Sequence, residues 1–273
     1  MKPYLSIIIP TLNEEKFIPN LLNSLKKQRA KNFEVVVVDG KSDDQTKNRV
    51  LDYKKSLPLK FFQVEKRNVS YQRNYGAKKA RGEYLVFLDA DSKINVFFTY
   101  SLEKIIKKKK GLIFIPYIVP DESNSETKLI FNFINFLLEI AISIGNKGIS
   151  SGGCIFFEKN FFEKIGGFDD RLFISEDHEL VDRALKWGVR AKFLKEIKIK
   201  FSLRRMRKEG RLKLYFKYLQ ALTFYLINGK IQNKIFDYEM GGQLYFKESK
   251  KISPGKAIKR YLIKAEKFFD KLF

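Results

Sequence analysis

The sequence predicts an α/β protein: a doubly wound, mostly parallel sheet followed by a basic helical extension. Three observations carry this. Continuous β-branched runs such as "LSIII" (5–9) and "EVVVVD" (34–39) have the pattern of strands covered on both faces. Between these runs lie amphipathic helical patterns, in a strand–helix–strand rhythm. Single acids, Asp39 and Asp89, stand where the apolar strands stop, and ligands of such sheets bind beyond the carboxyl ends of the strands.

The elements follow in chain order. "EEKFIPNLLNSLKKQ" puts Phe17, Leu21, Leu22 and Leu25 on one helical face, with Pro19 tolerable only near the first turn. In "SDDQT", Ser42 and Gln45 form a capping box that starts a second helix. "KFFQVE" (60–65) is a third strand, and "SYQRNYGAKKA" (70–80) a helix capped by Ser70. "YLVFL" (84–88) is the fourth strand, with further strands expected at 111–119, 152–159 and 191–201. "LIFNFINFLLEIAISIG" (129–145) is apolar except for one stripe of Asn132, Asn135, Glu139 and Ser143. At 1.5 Å per residue it is roughly 25 Å long, short for a bilayer and burdened by Glu139. A helix that is buried, or half-sunk in a membrane interface, fits better than a spanning one.

Residues 201–273 carry 18 Lys or Arg against 6 Asp or Glu, so about half the chain's net charge of +23 sits in about a quarter of its length. "RLKLYFKYLQALTFYLIN" (211–228) keeps Lys213, Lys217 and Gln220 on one side and stops at Asn228-Gly229. "KAIKRYLIKAEKFFDKLF" (256–273) is a basic amphipathic helix by its pattern. Periodicity is equally consistent with docking on the domain and with seating on an anionic membrane surface.

Composition narrows the class. With 273 residues, 44% of them hydrophobic, the chain can bury a sizeable core. The positive field suits phosphate-rich partners, and an AT-rich coding sequence accounts for part of it. No nucleic-acid module is recognisable and the basic residues mix with apolar ones, so nucleic acid is not expected. Cys154 is alone, which fits a reducing compartment, and "MKPYLSIIIP" is too short an apolar run for a signal peptide. The expected location is the cytoplasm, peripheral on the inner face of the cell membrane.

"YLVFLDADS" (84–92) then sets Asp89 and Asp91 one residue apart at a strand end, where hard cations such as Mg²⁺ or Mn²⁺ find carboxylate oxygens. Asp-x-Asp alone is a weak signal. It gains weight from "PTLNEE" (10–15), from "VDGKSDDQT" (38–46), where Asp39 could accept hydrogen bonds from a base or ribose, and from Arg73, which could meet a nucleotide or phosphate.

In this order "SIIIPTLNEE", "VDGKSDDQT", "RNYGAKKARG" and "FLDAD" resemble a family-two glycosyltransferase with the A-type nucleotide-sugar fold, and 152–188 resembles that family's acceptor-side block. The resemblance covers about residues 5 to 190. It implies a catalytic domain at 1–200, with a nucleotide-binding half (1–92) and an acceptor half (93–200), and an extension at 201–273. It implies that Pro10, Asn13, Glu14, Asp39 and Arg73 line the nucleotide pocket, that Asp89 faces the nucleotide-sugar, and that Asp91 is the main contact to a divalent cation. Asp177 in "SEDHEL" would be the general base, with Gly153, Glu176, Arg204 and Arg205 as acceptor or diphosphate contacts. The implied reaction is inverting, metal-dependent sugar transfer from a nucleotide diphosphate-sugar to a hydroxyl of a glycan or lipid-linked acceptor.

The sequence departs from the family at Glu179, where a second Asp is usual, and "RRMRKEG" (204–210) is not the Gln-x-x-Arg-Trp of processive polysaccharide synthases. His178 is the only histidine, and Cys154 is expected to serve packing. A polyprenyl-phosphate sugar synthase, whose acceptor is already anionic, stays open beside the leading reading. So does a non-catalytic, membrane-binding protein driven by the +23 charge.

Overall fold

The computed structural model describes residues 2–122 and 125–236. The amphipathic pattern at 256–273 lies outside the described residues. β1 (Leu5–Thr11) leads into α1 (Ile18–Lys26), β2 (Phe33–Asp39), α2 (Thr46–Leu51), β3 (Leu59–Gln63), α3 (Val69–Lys79) and β4 (Tyr84–Phe87). α4 (Phe98–Lys109), β5 (Ile113–Pro120), α5 (Ser125–Ile144), β6 (Ile155–Glu158), α6 (Lys159–Lys164) and α7 (Glu176–Lys186) follow. β7 (Lys192–Phe201), α8 (Arg204–Glu209) and α9 (Arg211–Asn228) complete the described chain.

The strands form one sheet in the order β3-β2-β1-β4-β6-β5-β7. β1 is parallel to β2 and β4, while β6 runs antiparallel to both β4 and β5, and β7 is again parallel to β5. Two reversals around β6 restore the direction, so every strand except β6 ends at the same edge. That edge therefore receives Thr11, Asp39, Asp89 and the start of α8 together.

All seven residues of β1 and of β2 are buried. Alternation divides them between two cores. Ile7, Ile9, Val35 and Val37 pack with α1 and α4, whereas Ile8, Val36 and Val38 pack with α3 on the other face. Pro10 is tolerated in this central strand for a specific reason. Ile8 O accepts from Leu88 N and Thr11 O from Gly40 N, so even-numbered residues of β1 address β4. β4 ends at Phe87, opposite Ile8, and the N–H that Pro10 lacks would lie past the end of that ladder.

The structure shifts several local expectations. α3 is capped by Asn68, whose side chain accepts from Tyr71 N, and not by Ser70. Ser42 does not cap α2; its hydroxyl donates to Asp39 instead. α1 begins only at Ile18, leaving Glu14 and Glu15 in the preceding loop. Of the polar stripe of α5, Asn135 is buried against the sheet: its amide accepts from Ile118 N and donates to Ile118 O, beyond the point where β6 stops pairing with β5. An open strand edge is thereby satisfied by a side chain. α8 and α9 dock through Leu203, Met206 and Leu214, which cluster with Ile118 of β5 and Phe131 of α5. Lys217, on the polar side of α9, is buried and paired with Glu209 at 2.5 Å.

Candidate active site

The site is assembled at the carboxyl edge from loops that the parallel strands deliver side by side. After β1 the chain turns at Asn13, a non-glycine residue at φ 54°, in the left-handed region that Asn tolerates. Its N–H donates to Ser42 Oγ at 2.8 Å, and its Oδ1 accepts from Asp43 N at 2.7 Å. Glu14 N donates to Thr46 Oγ1 at 2.7 Å, so the loops after β1 and β2 are laced together. Asp39 is fully buried at the seam. Its carboxylate accepts from Thr11 Oγ1 (2.9 Å), Ser42 Oγ (2.5 Å) and Ser42 N (2.8 Å). Gln72 of α3 donates to the carbonyls of Thr11 and Val38 at 2.7 and 2.8 Å, pinning both strand ends. The sequence does not single out Thr11, Thr46 or Gln72, and it offers Ser42 only as a helix cap. Their partners lie at least 28 residues away in most of these bonds, and only the sheet order brings them close.

Beyond β4, the two acids of Asp-Ala-Asp take different partners. Asp89 Oδ1 accepts from Arg73 Nη2 at 2.9 Å. Arg73 Nη1 donates to Glu176 Oε1 at 2.8 Å, and its guanidinium lies over the Phe168 ring at 5.2 Å. With Arg73 2% exposed, this guanidinium backs the site and joins the end of β4 to the start of α7. Asp91 Oδ2 instead faces Arg204 Nε at 2.7 Å. The other two nitrogens of Arg204 form a fork with Glu14, at 2.7 and 2.7 Å, and its plane covers Phe17 at 4.3 Å. Arg205 is the next residue of α8 and is partly buried.

Burial raises the Glu14 pKa to about 7 against the opposing pull of Arg204, with the Asp91 and Asp89 charges adding to the rise. Burial likewise raises Asp91 while Arg204 lowers it. At Arg73 burial works against the charge, but Asp89, Glu176 and Asp177 outweigh it and keep the pKa raised. Glu176 is raised by burial, opposed by Arg73.

The other side of the site begins at α7. Asp177 is 5% exposed, and its Oδ2 accepts from Gly152 N at 3.0 Å. Gly153 sits at φ +60°, and a Cβ there would lie 2.0 Å from Asp89 Oδ2. Glycine is required on both counts: backbone must pass against the carboxylate, in a conformation that L side chains resist. The Gly152-Gly153 turn thus separates Asp177 from Asp89 by a single strip of backbone. His178 Nδ1 accepts from Ser150 N at 3.1 Å, so this nitrogen carries no proton in the neutral ring. Nδ1 is 3.7 Å from Asp177 Oδ1 and has no proton to give it. The His178 ring rests against Tyr225 at 5.4 Å, a packing role. Cys154 is buried beside Ser92, and burial pushes its thiol up to about 12, which suits packing rather than nucleophilic attack.

No group of three or more His, Cys, Asp or Glu side chains shaped for a metal occurs among the described residues. The residues present still fit a hard cation shared with a ligand. Asp91 is a half-buried carboxylate already facing a positive group, and Asp89 and Glu14 lie close enough for their charges to act on one another. One or two carboxylates suffice where phosphates supply the remaining oxygens.

A mostly parallel sheet with laced loops at its carboxyl edge, paired acids beyond its fourth strand and a buried acid across a glycine turn defines the class of A-type sugar-transferase folds. The comparisons agree. The chain belongs to the family described as glycosyl transferase family 2, which matches residues 6–166. Poly(ribitol-phosphate) beta-N-acetylglucosaminyltransferase TarS of Staphylococcus aureus is 47% identical over 94 residues, which are 33% of this chain and 16% of TarS. An uncharacterized glycosyltransferase of Haemophilus influenzae is 30% identical over 200 residues, 67% of this chain and 62% of that protein. The chain thus spans less than two thirds of the length of these relatives. In fold it is similar to S. aureus TarS residues 1–349, with a TM-score of 0.60, 23% identity and coverage of 84% of this chain and 66% of that one. It is also similar to the mannosyltransferase PcManGT of Pyrobaculum calidifontis, with a TM-score of 0.61, 21% identity and coverage of 81% and 65%.

Proposed function

We propose that this enzyme moves a sugar from a nucleotide diphosphate-sugar to a hydroxyl of a glycan or lipid-linked acceptor, inverting the anomeric centre with the help of a divalent cation. The observation that carries this reading is the convergence at one sheet edge of two unlike clusters. Glu14, Asp91 and Arg204 form one, and Asp177 stands in the other behind the Gly152-Gly153 turn. Solved structures of TarS with UDP-GlcNAc, and of PcManGT with GDP-Man and Mn²⁺, support the donor class and the cation.

On this reading the pocket laced by Asn13, Ser42, Asp39 and Gln72 holds the nucleoside. Pro10 and Glu14 shape its floor, and Asp89 faces the sugar. Asp91, with Asp89 beside it, would hold Mg²⁺ or Mn²⁺, whose chemistry is to stabilise charge on a departing diphosphate. Arg204 brings a fixed positive charge to the same place. The acceptor oxygen attacks the anomeric carbon while its proton passes to Asp177, and the bond to the diphosphate breaks with its electron pair on the leaving group. Gly152 N holds one oxygen of Asp177, which leaves Oδ1 to take the proton. Arg73 positions Asp89 and Glu176 through its two terminal nitrogens. We place the enzyme on the cytoplasmic side of the cell membrane, with a membrane-associated acceptor from a cell-envelope glycan, on the strength of its charge and its apolar α5.

The test is a thermal-shift panel of nucleoside diphosphates and nucleotide-sugars, each with and without Mn²⁺ or Mg²⁺, on the wild type and Asp91→Asn. A ligand that binds only the native state raises the midpoint with occupancy. Metal-dependent stabilisation by one nucleotide, lost in Asp91→Asn, is expected. Equal shifts with and without metal would remove the cation from the mechanism, and no shift by any nucleotide would remove the donor class.

A further inference from the structure

α5 packs on the protein through one apolar face, with Phe131, Leu138 and Ile142 buried, and carries a second apolar face besides. Its polar stripe runs along one flank: Asn135 is buried and bonded to Ile118, whereas Asn132, which accepts from Tyr117 Oη at 2.9 Å, is exposed and Glu139, paired with Lys195 at 2.8 Å, is half-buried. A second stripe of Leu129, Phe133, Phe136, Leu137, Ile140 and Ile144 faces away from the protein. Their spacings of four, three, one, three and four put them on one helical face. Leu129 is 70%, Phe133 60% and Ile144 75% exposed. Scattered apolar side chains on a surface are ordinary, but a continuous ridge of six along about four turns is not.

Two further observations identify what the ridge meets. First, with Asn135 bonded to Ile118 and Phe131, Leu138 and Ile142 buried in the cores, α5 lies along the sheet, and in that packing its ridge meets a bilayer lying flat. Second, the flanks are basic. Lys195 and Lys198 of β7 sit on the α5 side of the sheet, Lys198 over the Tyr117 ring at 5.9 Å, and Lys128, Lys147 and Arg190 are exposed near the two helix ends. A second copy of the chain would bring its own +23 against this rim, and residues 256–273 hold six Lys or Arg against two acids. Like charges disfavour both as occupants, whereas acyl chains suit the ridge and anionic headgroups the rim.

We propose that the α5 ridge is a membrane seat, an in-plane surface that beds into an anionic bilayer and holds the active-site edge against it. The placement follows from the topology. α5 starts where β5 ends, at the edge that carries the site, and Phe131 packs on Leu203 and Met206 beside Arg204. This inference rests on the proposed membrane-associated acceptor for its purpose, but its test does not involve transfer.

The experiment is cosedimentation of the full chain with vesicles of phosphatidylglycerol and phosphatidylcholine, and with phosphatidylcholine alone. The variants are Phe133→Ser/Leu137→Ser/Ile140→Ser and, separately, Lys128→Gln/Lys198→Gln. The wild type binds the anionic vesicles. The triple variant binds at least about tenfold more weakly, and the double variant roughly tenfold more weakly. Thermal midpoints stay within about a degree of wild type, because the altered side chains are exposed or peripheral. Wild-type affinity in the triple variant would overturn the proposal, as would equal binding to neutral vesicles. So would a wild type that is dimeric at micromolar concentration and becomes monomeric in the triple variant, since a second copy would then cover the ridge. Failure of the transferase reading would show separately, as absence of nucleotide-induced stabilisation in wild type and variants alike.

Discussion

Replacing Arg73 with Met tests the cluster on which the geometry depends. Met fills much of the space over Phe168 without the charge, so a cavity contributes little. The loss leaves Asp89 and Glu176, which Arg73 holds at 2.9 and 2.8 Å, without their shared cation. Removing one partner of a buried ion pair typically costs about 3–5 kcal/mol, because the remaining charge stays buried and unpaired. For a domain of this size each kcal/mol moves the melting midpoint by roughly 2–4 °C, so a fall of roughly 6–20 °C is expected near pH 8. The loss also depends on pH. Glu176 already has its folded pKa raised by burial, and removing Arg73 raises it further. A carboxyl with a raised folded pKa favours the fold while protonated. That contribution is complete below its ordinary pKa and vanishes as pH rises through the folded value. Arg73→Met should therefore sit closer to wild type at pH 5 than at pH 8 in urea unfolding. A deficit below about 1 kcal/mol at pH 8, or one that does not change with pH, would refute the assignment of Arg73 as the cation of a buried acid cluster.

Three other outcomes are expected. Asp177→Asn should abolish transfer to a hydroxyl while leaving nucleotide-induced stabilisation intact; retained transfer to a lipid phosphate would favour the polyprenyl-phosphate synthase chemistry instead. Gly153→Ala, which puts a methyl 2.0 Å from Asp89 Oδ2, should cost about 10²-fold in turnover by displacing that carboxylate, and unchanged turnover would show Asp89 to be indifferent to position. Glu14 has a folded pKa of about 7 against an ordinary 4.5, so its protonated form stabilises the fold below 4.5 and that stability is lost as pH rises through about 7. The uncharged Glu14→Gln should gain on wild type between pH 5 and 8, by at most roughly 3 kcal/mol in urea midpoints converted to free energy, and a constant difference would contradict the burial argument.

Much of the fold is local information. β1 and β2 are buried on both faces because "LSIII" and "EVVVV" present apolar side chains at every position, and a pattern of that kind fits only a covered strand. Asp39, Asp89 and Asp91 are legible as edge residues for the same reason, since each follows the last apolar residue of its strand. The short helices at 98–109, 159–164, 176–186 and 204–209 were less legible, because much of what stabilises them is packing between residues distant in sequence. The cap of α3 was misassigned by two residues, as Asn68 and Ser70 are both competent caps and only the backbone path selects one.

What the sequence by itself determined is the alternation of strands and helices, the acids at the strand ends and the order of the motifs. Only the tertiary structure decided who meets whom. Arg204 closes on Glu14 across 190 residues because β7 runs in the same direction as β1. Arg73 joins Asp89 to Glu176 because α3 and α7 pack on the same face of the sheet. Asn135 of α5 turns inward because β5 outruns β6 and leaves Ile118 unsatisfied. Periodicity reports that a helix has two faces, but which face is buried depends on the hydrogen bonds the neighbouring strand still needs, and those exist only once the sheet has formed.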